Sequence, residues 1–72
     1  MEKLLLPNIQ RYIYPGDIVK LRGFDDEWKV RHGWYHITKY AGPAKGWYII
    51  SKNDLKPLDT RKILDDICLI NP

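Results

Sequence analysis

Gly33-Trp34-Tyr35-His36-Ile37-Thr38-Lys39 and, thirteen residues on, Gly46-Trp47-Tyr48-Ile49-Ile50-Ser51-Lys52 decide how this chain is read. Both stretches are rich in aromatic and β-branched residues, which pack well on a pleated, half-buried surface. The Gly42-Pro43 pair between them marks a turn, so the two read as the strands of a β-hairpin. Two similar copies are too few for a solenoid, whose repeats need at least about three units.

Loop length sets the register of such a hairpin. A four-residue loop, Gly42 to Lys45, pairs Ala41 with Gly46, so that Ile37 faces Ile50 and Tyr40 faces Trp47. Tyr35, Ile37, Tyr48 and Ile50 then share one face, which reads as the core. Trp34, His36, Thr38, Tyr40, Trp47 and Ile49 share the other. A five-residue loop would instead move Trp47 and Ile49 beside Ile37.

Outward from the hairpin, Pro and Gly cut the chain into segments of strand length. Tyr14-Pro15-Gly16-Asp17 has Pro and Gly at the central positions of a type II turn. In the strand that follows, Val19 and Leu21 alternate with Lys20 and Arg22. An acidic loop, Asp25-Asp26-Glu27, leads to a second strand in which Trp28 and Val30 alternate with Lys29 and Arg31. After the hairpin, residues 52–55 read as a single helical turn capped by Ser51 or Asn53, with a short closing strand at Lys56-Pro57-Leu58. The tail from Asp59 begins with a short helix capped by Asp59 or Thr60 and ends in an apolar strand from Ile67 to Ile70. Within it, Leu69-Ile70-Asn71-Pro72 is expected beside Leu5-Leu6-Pro7-Asn8 at the barrel edge.

With 72 residues, 44% of them hydrophobic, there is material for one core without metal or disulfide support. The expected organisation is one domain over 1–72, with a barrel core at 14–58, an N-terminal arm at 1–13 and a C-terminal extension at 59–72. Cys68 is the only cysteine, so it has no partner for an internal bridge. That favours a reducing, cytoplasmic setting and a buried Cys68 among Ile67, Leu69 and Ile70. Three consecutive leucines near the start fall short of a signal-peptide core, and no stretch is long enough for a membrane span. A formal charge of +3 is compatible with nucleic acid and equally with an ordinary solvated surface.

A strand opened by Gly16-Asp17, an acidic loop, a three-strand meander, a helical turn at Lys52 to Leu55 and a short closing strand together resemble the SH3-like small barrels, the group that includes KOW and Tudor domains. The resemblance covers about residues 14–58 and implies a mostly β fold, a small barrel of about five strands. It also implies a binding or assembly role, with peptides, modified side chains or nucleic acid as ligands. The Ala-Leu-Tyr-Asp-Tyr signature and paired tryptophans of proline-binding SH3 domains are missing. A Tudor-like aromatic cage would draw on Trp28, Trp34, Tyr40, Trp47 and Tyr48.

Single aromatics in small barrels are usually core or rim packing. The stripe as a group is what points to a contact patch, and Trp34, His36, Tyr40 and Trp47 with Lys39 and Lys45 are the candidate partner-binding residues. A protein partner is the first expectation for a monomer or small homo-oligomer. Nucleic acid comes second, because Lys20, Arg22, Lys29, Arg31, Lys39, Lys45 and Lys52 interleave with the aromatics. The third is a structural place in a larger assembly through Leu4-Leu5-Leu6 and Ile67 to Ile70.

No catalytic residues, metal ligands or cofactors are expected. His32 and His36, on one strand, would lie about 13 Å apart, and Asp25-Asp26 and Asp65-Asp66 read as solvated pairs. No phosphate-binding glycine loop or nucleophile elbow occurs. The sequence therefore reads as a noncatalytic adaptor or inhibitor-like module.

Overall fold

The computed structural model describes residues 2–36, 42–53 and 56–69. Among the described residues, seven strands occur in chain order: β1 (Leu4–Leu6), β2 (Arg11–Ile13), β3 (Ile18–Leu21), β4 (Glu27–Tyr35), β5 (Ala44–Ser51), β6 (Pro57–Asp59) and β7 (Ile67–Leu69). Two 3-10 turns, Thr60–Lys62 and Leu64–Asp66, lie between β6 and β7, and they are the only helical elements among the described residues. The chain is thus mostly β, as expected.

β1 and β2 form a hairpin of their own, while the other strands make a five-stranded antiparallel sheet in the order β6-β5-β4-β3-β7. That sheet is open, with β6 and β7 as its edges. Pro57 opens β6, and a proline is tolerated there because an edge strand can spare an N–H.

The turn at Tyr14 to Asp17 forms as its residues require. Gly16 takes φ +98°, Asp17 N donates to Tyr14 O at 3.1 Å, and the Asp17 carboxylate accepts from Tyr14 N at 2.8 Å. The strand it launches buries Val19 and Leu21 and leaves Lys20 exposed. In β4, Trp28 and Val30 are buried while Lys29 and Arg31 are exposed.

The central hairpin departs from the expected register. Trp28 to Arg31 and the stretch after Gly33 are one continuous strand, and Trp47 faces His32 in place of Tyr40, a displacement of eight residues. Ala44 pairs with Tyr35, so the connection runs from 36 to 43 and is longer than four residues. The physical reason is the match of apolar partners. This register sets Val30 opposite Ile49, both with no exposed surface, whereas the shorter loop would have set Ile49 opposite Thr38.

Because eight is even, each residue keeps its face, but the core lies on the face not expected. Ile49 is wholly buried with Val19, Leu21, Trp28, Val30 and Ile67, and Leu6 and Ile13 of the N-terminal hairpin complete the cluster. Tyr48 and Ile50, expected in the core, are half-buried on the opposite side. Tyr35 is buried there too, stacked on Tyr48 with ring centroids 4.5 Å apart. Gly33 faces Gly46 on the rung between those two tyrosines, and both side chains lean over a rung that has no side chain of its own.

A further expectation is corrected. Cys68 is exposed, because its pairing with Lys20 puts it on the solvent face while Ile67 alternates inward. Of the tail expected beside Leu5 to Asn8, Ile70, Asn71 and Pro72 lie outside the described residues; Leu4–Leu6 pairs with β2 and β7 pairs with β3. Of the helical turn expected at 52–55, Asp54 and Leu55 lie outside the described residues, and Ser51 Oγ accepts from Asn53 N at 3.1 Å. β7, not the strand at residues 57–59, lies beside β3.

Asp59 caps the first 3-10 turn, as its residue type suggests. Its carboxylate is buried, accepts from Arg61 N at 2.9 Å and holds the Arg61 guanidinium at 2.7 Å. The Arg61 hydrogen bond, outweighing the cost of burial, holds the Asp59 carboxyl below its ordinary value of 3.8. A lowered carboxylate contributes stability that is present above the unfolded pKa and lost as the pH falls through the folded one. Asp59→Asn is therefore expected to lower the Tm by a few degrees at pH 7. The gap to wild type should narrow as the pH falls below the ordinary carboxyl value of 3.8, as read by thermal melts at pH 7 and pH 3.

Candidate functional site

Beyond the core, β4 and β5 run on as a projecting hairpin end. Its inward-facing rungs are His32 opposite Trp47 and Trp34 opposite Lys45, with the Gly33–Gly46 rung between them facing the other way. Period-two alternation therefore gathers His32, Trp47, Trp34 and Lys45 on one surface.

The two tryptophans are not equivalent. Trp47 is half-buried, packs against the core cluster and lies tilted against the His32 ring at 4.8 Å. Its carbonyl accepts from Thr60 Oγ1 at 3.1 Å, tying the 3-10 turn to β5. Trp34, by contrast, is 66% exposed, the most exposed large hydrophobic residue among the described residues. It lies past the last rung that the core covers, so folding leaves most of its surface in water.

Charge on this surface is set by few groups. Lys45 is exposed directly opposite Trp34, at the Cβ separation of about 5 Å usual for cross-strand pairs. His32 Nδ1 contacts the Glu2 carboxylate, which ties the chain's start to the same hairpin. His36 is exposed just past the end of β4, and Lys39 and Tyr40 lie outside the described residues. Of the six residues expected from sequence, then, Trp34, Trp47 and Lys45 share one surface and His36 borders it.

His32 belongs to this surface, although the sequence does not single it out. Its signal is the spacing of two to Trp34, which carries weight only if the strand runs unbroken through Gly33. Other exposed apolar side chains lie apart in sequence: Tyr12, under the Lys3 ammonium at 4.3 Å, and Phe24, edge-on to Trp28 at 6.4 Å. The Trp28 indole N–H is buried with no hydrogen-bond acceptor among the described residues.

The opposite face of the sheet has a different character. Lys20, Lys29 and Arg31 are exposed there, and none of them is paired with a carboxylate among the described residues. Glu27 is taken by Lys52 at 3.2 Å and Asp59 by Arg61. Among the described residues no group of three or more His, Cys, Asp or Glu side chains is placed to hold a metal ion, and no helix is long and apolar enough to cross a membrane.

Comparison with family models, with curated proteins and with solved structures yields no match for this chain.

Proposed function

We propose that this chain is a noncatalytic adaptor or inhibitor-like module of the cytoplasm, binding a protein partner through the projecting β4–β5 hairpin with Trp34 as its anchor. The observation that carries the reading is the exposure of Trp34, a large apolar side chain left in water opposite an exposed lysine, Lys45. Tryptophan is enriched among residues that dominate binding energy, because it buries much area with few rotatable bonds. His32, Trp47 and Lys45 would frame it with an aromatic wall and a positive charge. The scaffold reading is a small SH3-like barrel. It is supported by the path from β3 through a four-strand meander and two 3-10 turns to β7, which returns beside β3.

The test is a pull-down with the full chain, with and without nuclease, comparing wild type with Trp34→Ala. A protein partner that survives nuclease and is lost with the variant supports the reading. A partner retained at full yield by a folded variant removes it.

A second reading, nucleic-acid binding, is favoured by the Lys20, Lys29 and Arg31 stripe on the other face. Tyr48, on the same face, would supply a ring for base stacking. On this reading a fluorescent single-stranded 12-mer binds with a log–log salt slope of roughly −2, as three phosphate contacts imply. Lys29→Glu with Arg31→Glu should abolish that binding, and a salt-independent signal in anisotropy titrations would eliminate the idea.

A further inference from the structure

A cleft of about 290 Å³ lies where the turn of the N-terminal hairpin meets the second 3-10 turn and β7. Its apolar lining comes from Leu6, Ile9, Leu64 and Ile67, of which Leu6 and Ile67 are buried in the core and Ile9 is 47% exposed. The polar lining includes two cations, Arg11 and Arg22, both exposed and neither paired with a carboxylate among the described residues. Asp65 also lines it, but its carboxylate accepts from Asn8 Nδ2 at 2.8 Å, a bond that joins the hairpin turn to the 3-10 turn.

We propose that this cleft is a second binding site, which takes the C-terminal residue of a partner polypeptide, its aliphatic side chain on Leu6, Ile9, Leu64 and Ile67 and its α-carboxylate between Arg11 and Arg22. The size is at the low end of ligand pockets, suited to one side chain and its carboxylate and not to a large cofactor. Two guanidinium groups beside an apolar surface match an anion attached directly to an aliphatic group. Arginine also offers paired N–H donors to both carboxylate oxygens. The cleft opens beside β7, an edge of the five-stranded sheet, where an approaching extended chain would meet the outer side of an edge strand.

The proposal deepens the adaptor reading, and rests on it for the partner being a polypeptide. Lys20, two residues before Arg22, faces Glu27, and Trp34 is seven residues further along β4, about 23 Å at ~3.3 Å per residue. The cleft and the hairpin tip thus lie toward opposite ends of the sheet, far enough apart for both to be filled at once, which is the geometry of a bridging protein.

Nitrogen-15-labelled full chain is titrated with acetyl-Ala-Ala-Leu carrying a free carboxylate, with the same peptide as its C-terminal amide, and with inorganic phosphate. The expected result is amide shifts at Leu6, Ile9, Arg22 and Ile67, with the amide peptide and phosphate each binding at least about tenfold more weakly. Arg11→Gln with Arg22→Gln should abolish the shifts, and because both side chains are exposed the fold is expected to persist. The Trp34→Ala protein should bind the peptide as wild type does, so the cleft and the hairpin tip stand or fall separately. Equal binding of acid and amide, equal binding of phosphate, or shifts centred on Trp34 would each overturn the proposal.

Discussion

Trp34→Ala is expected to weaken partner binding at least about thirtyfold while leaving the Tm within a few degrees of wild type. The two halves of that result have separate physical causes. Truncating an exposed side chain removes little packing, and substitutions at such surface sites usually change stability by no more than about 0.5 kcal/mol. An interface anchor is worth about 2 kcal/mol or more when cut to alanine, which is about thirtyfold in the dissociation constant. Circular dichroism melts and calorimetric titration against the captured partner read the two quantities. Trp47→Ala provides the contrast, since that ring packs on the core and its loss should lower the Tm clearly. A Trp34→Ala protein that melts as low as Trp47→Ala would show that the ring serves the fold and not a partner.

Ile49→Ala should destabilise the protein by about 2–5 kcal/mol, and Ile50→Ala by clearly less, although the two residues are neighbours with the same side chain. Ile49 is wholly buried opposite Val30, so its truncation leaves a cavity that closely packed surroundings fill only in part. Ile50, opposite Lys29, is half-buried on the other face, where water can take up the space. For a chain this small the first loss is comparable with the whole stability, so Ile49→Ala is expected to be largely unfolded at 37 °C. Urea denaturation of both variants checks the order. The reverse order would mean that the core lies on the Tyr48 and Ile50 face and that Val30 and Ile49 do not pack together inside it.

That pair of isoleucines also shows how far the sequence could be read. Alternation within each strand was legible: Val19 with Leu21 and Trp28 with Val30 turned inward as their spacing required. So were the Pro15-Gly16 turn and the Asp59 cap, because each is decided by a few adjacent residues. The candidate site was legible in part. Trp34 and Lys45 share a surface by parity, which an eight-residue change of register preserves, whereas His32 escaped because it falls between two segments, Trp28 to Arg31 and Gly33 to Lys39, that read as separate strands.

Local chemistry by itself determined the strand content, the turn, the cap and which residues share a face. Only the tertiary structure decided which face is the core, which strand lies beside β3 and which tryptophan is left in water. A hairpin with apolar groups on both sides offers two nearly equivalent faces, and nothing within it ranks them. The choice falls to residues distant in sequence. Val19 from β3, Leu6 and Ile13 from the N-terminal hairpin and Ile67 from β7 pack on the Val30 and Ile49 side, and burial of apolar area there settles the order. Trp34 is exposed for the same reason: it lies on the core-facing side, but past the point where those distant residues reach.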